Sequence, residues 1–455
     1  MFDLKILFSG AGPCSAVLQG WRARPQQLAM AEAVDRAIAA RGVLLAEAGT
    51  GTGKTLAYLL PALLSGGKVV ISTGTRALQD QLFHRDLPAA RRALKSPVKL
   101  ALLKGRANYV CHHYLQRNLA DGRFSQREDA AWLQKIARFA ETTASGDRAE
   151  AEGIPEDANA WHYAVSSRDT CLGSDCAHFK ACFVMQARKA ALDAEVVVVN
   201  HHLFFADLWL KDEGVAELLP ACNTVILDEA HQLAETAAQF FGQTVSTAQL
   251  LDLAGDVKRL AAVKAGDFPA LRAAAEDFGK AARDLRLVFP QQPLKATLSD
   301  LGRYEKWPDA LATLSDSLGE LARLLETQAE RDADLKNGFE RAQAAQAGLA
   351  DWQRDDDPEQ PRVRWVETTM GALLLHATPL SVGAQFGAKL AERAQAWILT
   401  SATLSVGGDF SHLKTRLGID EADTLCVDSP FDYPRQGVLY VPQGLPAPNT
   451  PAFTE

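Results

Sequence analysis

Residues 48–55 have the composition of a phosphate-binding loop. Glycines at 49, 51 and 53 let backbone N–H groups curl around phosphate oxygens at the positive end of a following helix. In such a loop the lysine binds the β- and γ-phosphates of a nucleotide and the threonine hydroxyl binds Mg²⁺. The order Gly-Lys-Thr, between a predicted strand and a predicted helix, disfavours a glycine-rich turn without a ligand. The predicted ATP-binding residues here are Ala48, Gly49, Thr50, Gly51, Thr52, Gly53, Lys54 and Thr55.

A second chemical signature, Asp-Glu-Ala-His, occupies residues 228–231 directly after the apolar run 225–227. Its position predicts that Asp228 lies at a strand end, where open parallel sheets bind their ligands. A carboxylate there holds Mg²⁺, and Glu229 beside it orients and deprotonates the attacking water. The predicted catalytic residues are Lys54, Asp228 and Glu229, and the predicted magnesium ligands are Thr55 and Asp228. The alternative is that residues 228–231 only begin a helix and match the motif by chance. The phosphate-binding loop upstream makes that alternative less favoured.

Polar residues flank both signatures. Arg24 and Gln27 begin an amphipathic helix upstream of the loop, and a glutamine amide can pair with the Hoogsteen edge of adenine. Ser401 and Thr403 follow the apolar run 397–399 and offer two small hydroxyls. Taken alone, an ordinary polar helix start and a chance Ser-Ala-Thr tripeptide explain these residues as well.

Four cysteines lie between the two signatures, the last three spaced as C-x4-C-x5-C: Cys111, Cys171, Cys176 and Cys182. Four thiolates bind cubane iron–sulfur clusters, and zinc takes the same number. The spacings fit zinc less well, because zinc sites usually use pairs separated by two to four residues. Free buried thiols are the remaining alternative, to which Cys14, Cys222 and Cys426 are assigned.

Composition bounds the class of protein. With 455 residues and 47% apolar content, the chain can bury several cores, so two to four domains are expected. A net charge of −8 argues against a protein that coats nucleic acid over its whole surface. The basic stretch 85–106 is either a local nucleic-acid groove or a solvated helix face.

Localisation follows from what the sequence contains. No run approaches the ~20 apolar residues of a membrane span, and the first residues do not form a signal peptide. Seven cysteines, an odd number without secretory context, indicate reduced thiols. The sequence therefore predicts a cytoplasmic protein without a membrane partner.

The elements that position these residues are predicted from hydrophobic patterns. Continuous apolar or β-branched runs at 43–46, 68–72, 195–200, 224–227 and 396–399 fit strands buried on both faces of a parallel sheet. Residues 106–190 lose strand signals. Residues 243–390 are rich in alanine and leucine and carry one helical face at Leu311, Leu314, Leu318, Leu321 and Leu325. We therefore predict an α/β core that is interrupted twice.

Taken in their order along the chain, the motifs resemble those of the DinG/XPD group of superfamily 2 DNA helicases. They resemble most closely the bacterial DinG-like, YoaA-type members of that group. The resemblance extends over essentially all of residues 20–440. No single motif is decisive, but the ordered set is highly specific. The matching segments are Arg24-x-x-Gln27 and residues 47–55, 72–82, 104–111, 171–176, 200–203, 228–232 and 399–404.

The resemblance implies a RecA-like P-loop motor domain with a parallel sheet, an inserted iron–sulfur domain and an inserted helical arch domain. The corresponding ranges are 1–105, 190–242 and 391–440 for the motor, 106–189 for the iron–sulfur domain and 243–390 for the arch. The implied cofactors are ATP, Mg²⁺ and a [4Fe–4S] cluster. The implied cluster ligands are Cys111, Cys171, Cys176 and Cys182.

The resemblance also implies ATP-dependent 5′→3′ movement on single-stranded DNA and strand separation during repair or replication. Arg24 and Gln27 then belong to the ATP site, and Gln27 reads adenine. Thr73, His231, Ser401 and Thr403 are the residues implied to couple nucleotide state to DNA. The implied partners are single-stranded and forked DNA and a replication or repair protein, with the helicase itself a monomer.

The family's second motor domain carries a Gln-x-x-Gly-Arg-x-x-Arg motif that does not occur in this sequence. Residues 441–455, rich in proline, indicate a linker to such a domain. We therefore expect an N-terminal part of a helicase that binds ATP and single-stranded DNA weakly and does not unwind duplexes alone. The competing interpretations are an ATP-independent module for single-stranded DNA binding or partner docking, and an RNA motor.

Overall fold

The computed structural model describes residues 3–122, 124, 126–212, 218–355, 362–379, 382–392, 395–440, 442, 444–447, 450 and 453, with the backbone alone at 209–212. Most of the predicted linker, 441–455, lies outside these residues. None of the described helices has the length and apolar content that a membrane crossing requires.

The strands form two separate sheets. Numbered along the chain, they are β1 (Val43–Ala48), β2 (Val69–Thr73), β3 (Leu100–Leu102), β4 (Val196–Asn200), β5 (Thr224–Asp228), β6 (Gln243–Ser246), β7 (Leu294–Thr297), β8 (Arg362–Thr368), β9 (Leu373–Pro379), β10 (Ala396–Ser401) and β11 (Asp423–Val427). The larger sheet has the order β11-β1-β10-β5-β2-β4-β3, and each neighbouring pair is parallel. The predicted α/β fold with a parallel motor sheet is confirmed.

Helices cover the larger sheet and build both insertions. They are α1 (Leu4–Leu7), α2 (Pro13–Val17), α3 (Pro25–Ala40), α4 (Lys54–Leu64), α5 (Arg76–Gln81), α6 (Leu87–Leu94), α7 (His112–Asp121), α8 (Arg127–Thr142), α9 (Phe183–Asp193), α10 (His201–Asp212), α11 (Leu233–Phe241), α12 (Thr247–Lys264), α13 (Pro269–Leu287), α14 (Leu298–Leu301), α15 (Trp307–Glu326), α16 (Ala333–Gln353), α17 (Gly383–Ala391), α18 (Ser411–Leu417) and α19 (Tyr433–Gln436).

Two apolar cores lie on opposite faces of the parallel sheet. One contains α3, α4 and α6, with Met30 and Tyr58 fully buried. The other contains α10, α11, α17 and α18, with Phe205 and Trp397 at its centre. Because both faces are covered, the strands contain almost only apolar residues until they reach the polar residues at their carboxyl ends.

The cysteine-bearing segment between β3 and β4 has its own small core. Helices α7 and α8 and the short 3-10 turn Asn159–Tyr163 surround Leu133, Ile136 and Trp161, which are 3% exposed or less. Gln126 and Asp129 form a capping box that fixes the start of α8. Two further 3-10 turns, Gly173–Asp175 and Phe179–Ala181, carry the chain past its last three cysteines.

The segment between α11 and α17 combines helices with a second sheet. Helices α12, α13, α15 and α16 pack around the leucine face predicted from residues 311–325, where Leu314, Leu318, Leu321 and Leu325 are fully buried. An antiparallel sheet of order β6-β9-β8-β7 covers this helical core. The sequence analysis predicted a helical insertion here without this sheet, because its two longer strands, β8 and β9, lie within an alanine- and leucine-rich region.

Helix α17 packs with the motor. Its residues Phe386 and Leu390 lie in the core around Trp397, and the rings of Phe386 and Trp397 have their centroids 6.3 Å apart. The sequence analysis assigned these residues to the insertion, whose predicted end is residue 390. The packing places α17 on the motor side, since its buried residues Phe386 and Leu390 belong to the core of the parallel sheet.

Charged residues join the two insertions. The carboxylate of Asp256 on α12 forms ion pairs with Arg117 on α7, Arg259 on α12 and Arg341 on α16, at 2.8 Å for Arg341 and 3.4 Å for Arg117. His113 on α7 lies 3.1 Å from Asp334 on α16. The cysteine-bearing segment is therefore held against the arch by side chains from three helices.

Candidate nucleotide site and cysteine group

The phosphate-binding loop connects β1 to α4. Gly51 and Gly53 have φ values of +82° and +83°, a region that favours glycine because it carries no Cβ. Lys54 begins α4, and its ammonium donates to the carbonyl oxygen of Ala48 at 3.3 Å. The positive end of α4 and the Lys54 ammonium therefore point into one concave backbone turn, which is the arrangement that binds a polyphosphate.

Gln27 lies against this loop. It is 1% exposed on α3, and its amide Nε2 donates to the carbonyl oxygen of Gly53 at 2.9 Å. Its Oε1 is buried and has no hydrogen-bond partner among the described residues. Arg24 approaches the same glycine, at 3.8 Å from the position that a Cβ of Gly53 would take. An unsatisfied acceptor beside the loop suits the amino group of a purine base.

The acidic pair lies at the end of β5, next to the loop. Burial raises the pKa of Asp228 to about 6, and the charge of Glu229 adds to this rise, whereas the Tyr58 hydroxyl and the Lys54 ammonium oppose it. Asp228 Oδ2 accepts from the Tyr58 hydroxyl at 3.1 Å. Glu229 adopts φ +57°, the left-handed region that few non-glycine residues enter. The carboxylate of Glu229 reaches Ser401 at the end of β10.

A hydrogen-bonded triangle joins the ends of β5 and β10. The Ser401 hydroxyl donates to Glu229 Oε2 at 3.2 Å and lies 2.8 Å from His231 Nδ1, which is 3.3 Å from the same carboxylate oxygen. The backbone N–H of Thr403 faces the Ser401 hydroxyl at 3.5 Å. The motif at 228–231 and Ser401, which are distant in the sequence, are thus in contact. Thr73, also in the predicted set, is buried at the end of β2, outside this triangle.

Sequence reasoning assigned no role to Glu47, although it lies in one of the matching segments. Its carboxylate accepts from the backbone N–H groups of Leu404 and Ser405, in the loop that follows Thr403. Burial alone would raise the pKa of Glu47, but hydrogen bonds from Ser405 and Leu404 outweigh burial and lower this pKa. A charged Glu47 therefore ties β1, just before the phosphate-binding loop, to the segment after β10.

His201 lies in another matching segment, residues 200–203, and the sequence likewise assigned it no role. It is 1% exposed, and its Nδ1 lies 2.7 Å from the Ser72 hydroxyl on β2. Burial lowers the pKa of His201 to about 4, although the backbone carbonyls of Asp228 and Glu229 act against this fall. The imidazole is therefore neutral at pH 7 and lies between β2 and the acidic pair.

A strap, residues 429–433, crosses over the phosphate-binding loop. The Ser429 hydroxyl donates to the carbonyl oxygen of Thr50 at 2.7 Å, and the Tyr433 hydroxyl lies 2.8 Å from the Thr50 hydroxyl. A Cβ on Gly51 would meet the Phe431 ring at 2.3 Å. Sequence spacing gave no signal for this contact, because 379 residues separate Ser429 from Thr50.

The four predicted cluster cysteines are half-buried neighbours. Burial raises the pKa of both Cys111 and Cys176. The nearby Cys176 thiol raises the pKa of Cys111 further. The pKa of Cys176 is raised further by its neighbours Cys171 and Cys182. The guanidinium of Arg106 donates to Cys171 Sγ at 3.0 Å. Across the described ranges, no three or more His, Cys, Asp or Glu side chains are placed to hold a metal ion. The thiols are therefore close together but do not converge on one point.

The basic stretch 85–106 does not form one continuous exposed face. Lys104 is 4% exposed and forms ion pairs with Asp80 and Asp147 at 2.8 and 2.6 Å. Arg106 contacts Cys171. The exposed cations of the stretch are Arg85, Arg92, Lys95 and Lys99.

Sequence comparisons identify the family. A DEAD/DEAH box helicase family model matches residues 24–107. The ATP-dependent DNA helicase YoaA of Haemophilus influenzae is 40% identical over 444 residues, which cover 97% of this chain and 69% of that protein. YoaA of Escherichia coli is 41% identical, with coverages of 98% and 70%. This chain belongs to the YoaA/DinG helicase family. The helicase DinG of Mycobacterium tuberculosis is 34% identical, with coverages of 95% and 68%.

The residues of this YoaA/DinG family member fit a magnesium nucleotide. Hydroxyl and carboxylate oxygens are the donors that Mg²⁺ prefers, and Thr55 and Asp228 supply one of each beside the loop. Burial and the charge of Glu229 raise the pKa of Asp228 more than Lys54 lowers it, and a divalent cation bound there would stabilise the charged carboxylate.

The cysteines of this YoaA/DinG family member fit a thiolate-bound group by their chemistry. Four neighbouring thiols are the donor set of a cubane cluster or of zinc. Burial lowers the pKa of Arg188 to about 10, and Cys171 and Cys182 lie close enough to oppose this shift. Two cations, Arg106 and Arg188, therefore lie next to the cysteines, where they would offset the negative charge of thiolates.

Proposed function

We propose that this chain supplies the ATP site of a DNA motor that uses ATP hydrolysis to separate DNA strands. The observation that carries the proposal is that three strand ends lie side by side. Ser401 at the end of β10 pairs with Glu47, next to the phosphate-binding loop, and its hydroxyl contacts Glu229, which follows Asp228 at the end of β5. Identity of 40% to a YoaA DNA helicase over almost the whole chain supports DNA as the substrate.

In this proposal the backbone of residues 48–53 and the Lys54 ammonium bind the phosphates of ATP. Thr55 and Asp228 bind Mg²⁺, and Glu229 accepts the proton of the attacking water. Arg24 and Gln27 complete the site at the base, where the unsatisfied Gln27 Oε1 accepts from the adenine amino group.

Coupling to DNA is proposed to run through the triangle of Glu229, His231 and Ser401. The carboxylate that handles the attacking water also contacts Ser401, so a change at the γ-phosphate alters the β10 end. Thr403 and Thr73 would carry that change to the DNA. Direction 5′→3′, single-stranded and forked DNA, a replication or repair partner, a monomeric state and a cytoplasmic location are proposed from the family resemblance alone.

Lys54→Ala tests the motor function. We expect it to abolish ATP hydrolysis and to weaken ATP binding at least tenfold, because the lysine is the main cation that faces the phosphates. A tenfold loss of affinity corresponds to about 1.4 kcal/mol of binding free energy. Lys280→Ala, an exposed lysine on α13, should behave as the wild type. The measurements are binding of a fluorescent ATP analogue and phosphate release with and without single-stranded DNA.

Other outcomes separate the alternatives. ATP-independent DNA binding that is identical in wild type, Lys54→Ala and Lys280→Ala, with no ATP binding by the wild type, would favour a docking module. Displacement of bound DNA by RNA oligomers at equal concentration would favour an RNA motor.

We further propose that Cys111, Cys171, Cys176 and Cys182 hold a [4Fe–4S] cluster. Anaerobically purified protein should contain about four iron and four sulfide per chain. Cys176→Ser should lose most of both, and Cys426→Ser, an exposed thiol on β11, should keep them. Stoichiometric zinc without sulfide would contradict the cluster.

A further inference from the structure

Tyr58 is a buried polar residue directly behind the proposed magnesium site. It lies on α4, one helical turn after Thr55, and none of its side chain is exposed. Its ring packs in the apolar core that covers one face of the parallel sheet. A core position of this kind suits phenylalanine as well, so the hydroxyl calls for a specific explanation.

The hydroxyl contacts one of the two residues that are proposed to bind Mg²⁺. It donates to Asp228 Oδ2 at 3.1 Å, across the boundary between α4 and β5. Thr55 lies one turn earlier on the same helix. Tyr58 and Asp228 are 170 residues apart in the sequence, so their hydrogen bond joins α4 to the end of β5.

The contact fixes the orientation of the Asp228 carboxylate. Oδ1 accepts from the backbone N–H of Glu229 at 3.1 Å, and Oδ2 accepts from Tyr58. With one donor on each oxygen, rotation of the carboxylate about its Cβ–Cγ bond would break both hydrogen bonds. The remaining lone pairs are then held in a set direction, and partners that orient metal ligands in this way strongly affect metal affinity.

We propose that Tyr58 is a positioning residue for the magnesium ion of the nucleotide, and that its hydroxyl holds the Asp228 carboxylate in one orientation. This inference rests on the proposed ATP-dependent function. It assigns Tyr58 no contact with ATP itself.

Tyr58→Phe tests the inference, because it removes one oxygen and keeps the ring. We expect the Mg²⁺ concentration for half-maximal tightening of ATP-analogue binding to rise about tenfold, the lower end of the range for partners of metal ligands. Binding of the analogue in EDTA should stay within about twofold of the wild type, since the loop contacts are intact. Mn²⁺ titration followed by electron paramagnetic resonance gives the same affinity ratio without turnover.

Tyr114→Phe is the matched control. Tyr114 is also buried, and its hydroxyl donates to the carbonyl oxygen of Thr170 in the cysteine-bearing segment. It should leave the Mg²⁺ dependence unchanged. Equal Mg²⁺ and Mn²⁺ dependence in wild type, Tyr58→Phe and Tyr114→Phe would overturn the inference. Absence of analogue binding by the wild type would instead overturn the proposed function.

Discussion

Asp228 and His201 are both buried at the carboxyl end of the parallel sheet, and burial favours the neutral form of each. It raises the pKa of Asp228 to about 6 and lowers the pKa of His201 to about 4. A cation bound at Asp228 reverses the preference there, because it stabilises the carboxylate. Magnesium binding below about pH 6 is therefore expected to release a proton.

His201 makes a pH-dependent contribution to stability. Its folded pKa of about 4 is below the ordinary 6.5, so the contribution is fully present above pH 6.5 and is lost as the pH falls toward 4. This difference in pKa corresponds to a loss of about 3 kcal/mol in the free energy of unfolding at pH 4. We expect the stability difference between wild type and His201→Asn to change by this amount between pH 7 and pH 4, measured by urea unfolding.

Gln249→Ala, at an exposed position of α12 whose side chain does not titrate, provides the comparison. Its stability difference from the wild type should be constant over the same pH interval. A His201→Asn curve parallel to that of the wild type would contradict the expected titration.

At the scale of elements, α15 is a test of core packing in the arch. Leu318 is fully buried among the helices around it. Leu318→Ala should lower the free energy of unfolding by about 2–5 kcal/mol, because it removes buried methyl groups and leaves a cavity. Leu287→Ala, 71% exposed at the end of α13, should cost far less. Urea unfolding followed by circular dichroism measures both, and equal losses would contradict the packing.

How far the sequence predicted these elements depends on where their partners lie. β4 and β5 were predicted because each is a continuous apolar run, buried on both faces. The four-residue strands β6 and β7 were not, since their stability comes from β8 and β9, far along the chain. The partly exposed edge strand β11 carries no comparable apolar run.

The same distinction applies to the site. Lys54, Asp228 and Ser401 were selected by local motifs, and the structure brings them to one end of the sheet. The contacts of Tyr58 with Asp228 and of Ser429 with Thr50 join distant segments. No local spacing encodes such contacts, so sequence reasoning without the fold could not find them.

At the scale of the whole molecule, Asp256 holds the arch to the cysteine-bearing segment. Asp256→Asn would leave three guanidinium groups around a neutral amide, each at most a quarter exposed. Since these charges are only partly buried, we expect a loss of about 2–4 kcal/mol, near or below the range for breaking a buried pair. Hydrogen exchange should increase in α7 and α16 and stay unchanged in the motor helix α3.

Asp316→Asn on α15, an exposed carboxylate within the arch, should change neither exchange nor stability. Unchanged exchange in α7 of the Asp256→Asn protein would show that the two insertions hold together without this cluster.

Each insertion connects two strands that are immediate neighbours in the parallel sheet. The cysteine-bearing segment spans β3 to β4, and the arch spans β5 to β10, which are adjacent pairs in the parallel sheet. Each insertion therefore takes the place of one ordinary crossover connection. Evolution could therefore add, remove or replace either insertion without changing the order of strands in the parallel sheet. The two insertions and the motor can then diverge in sequence at different rates.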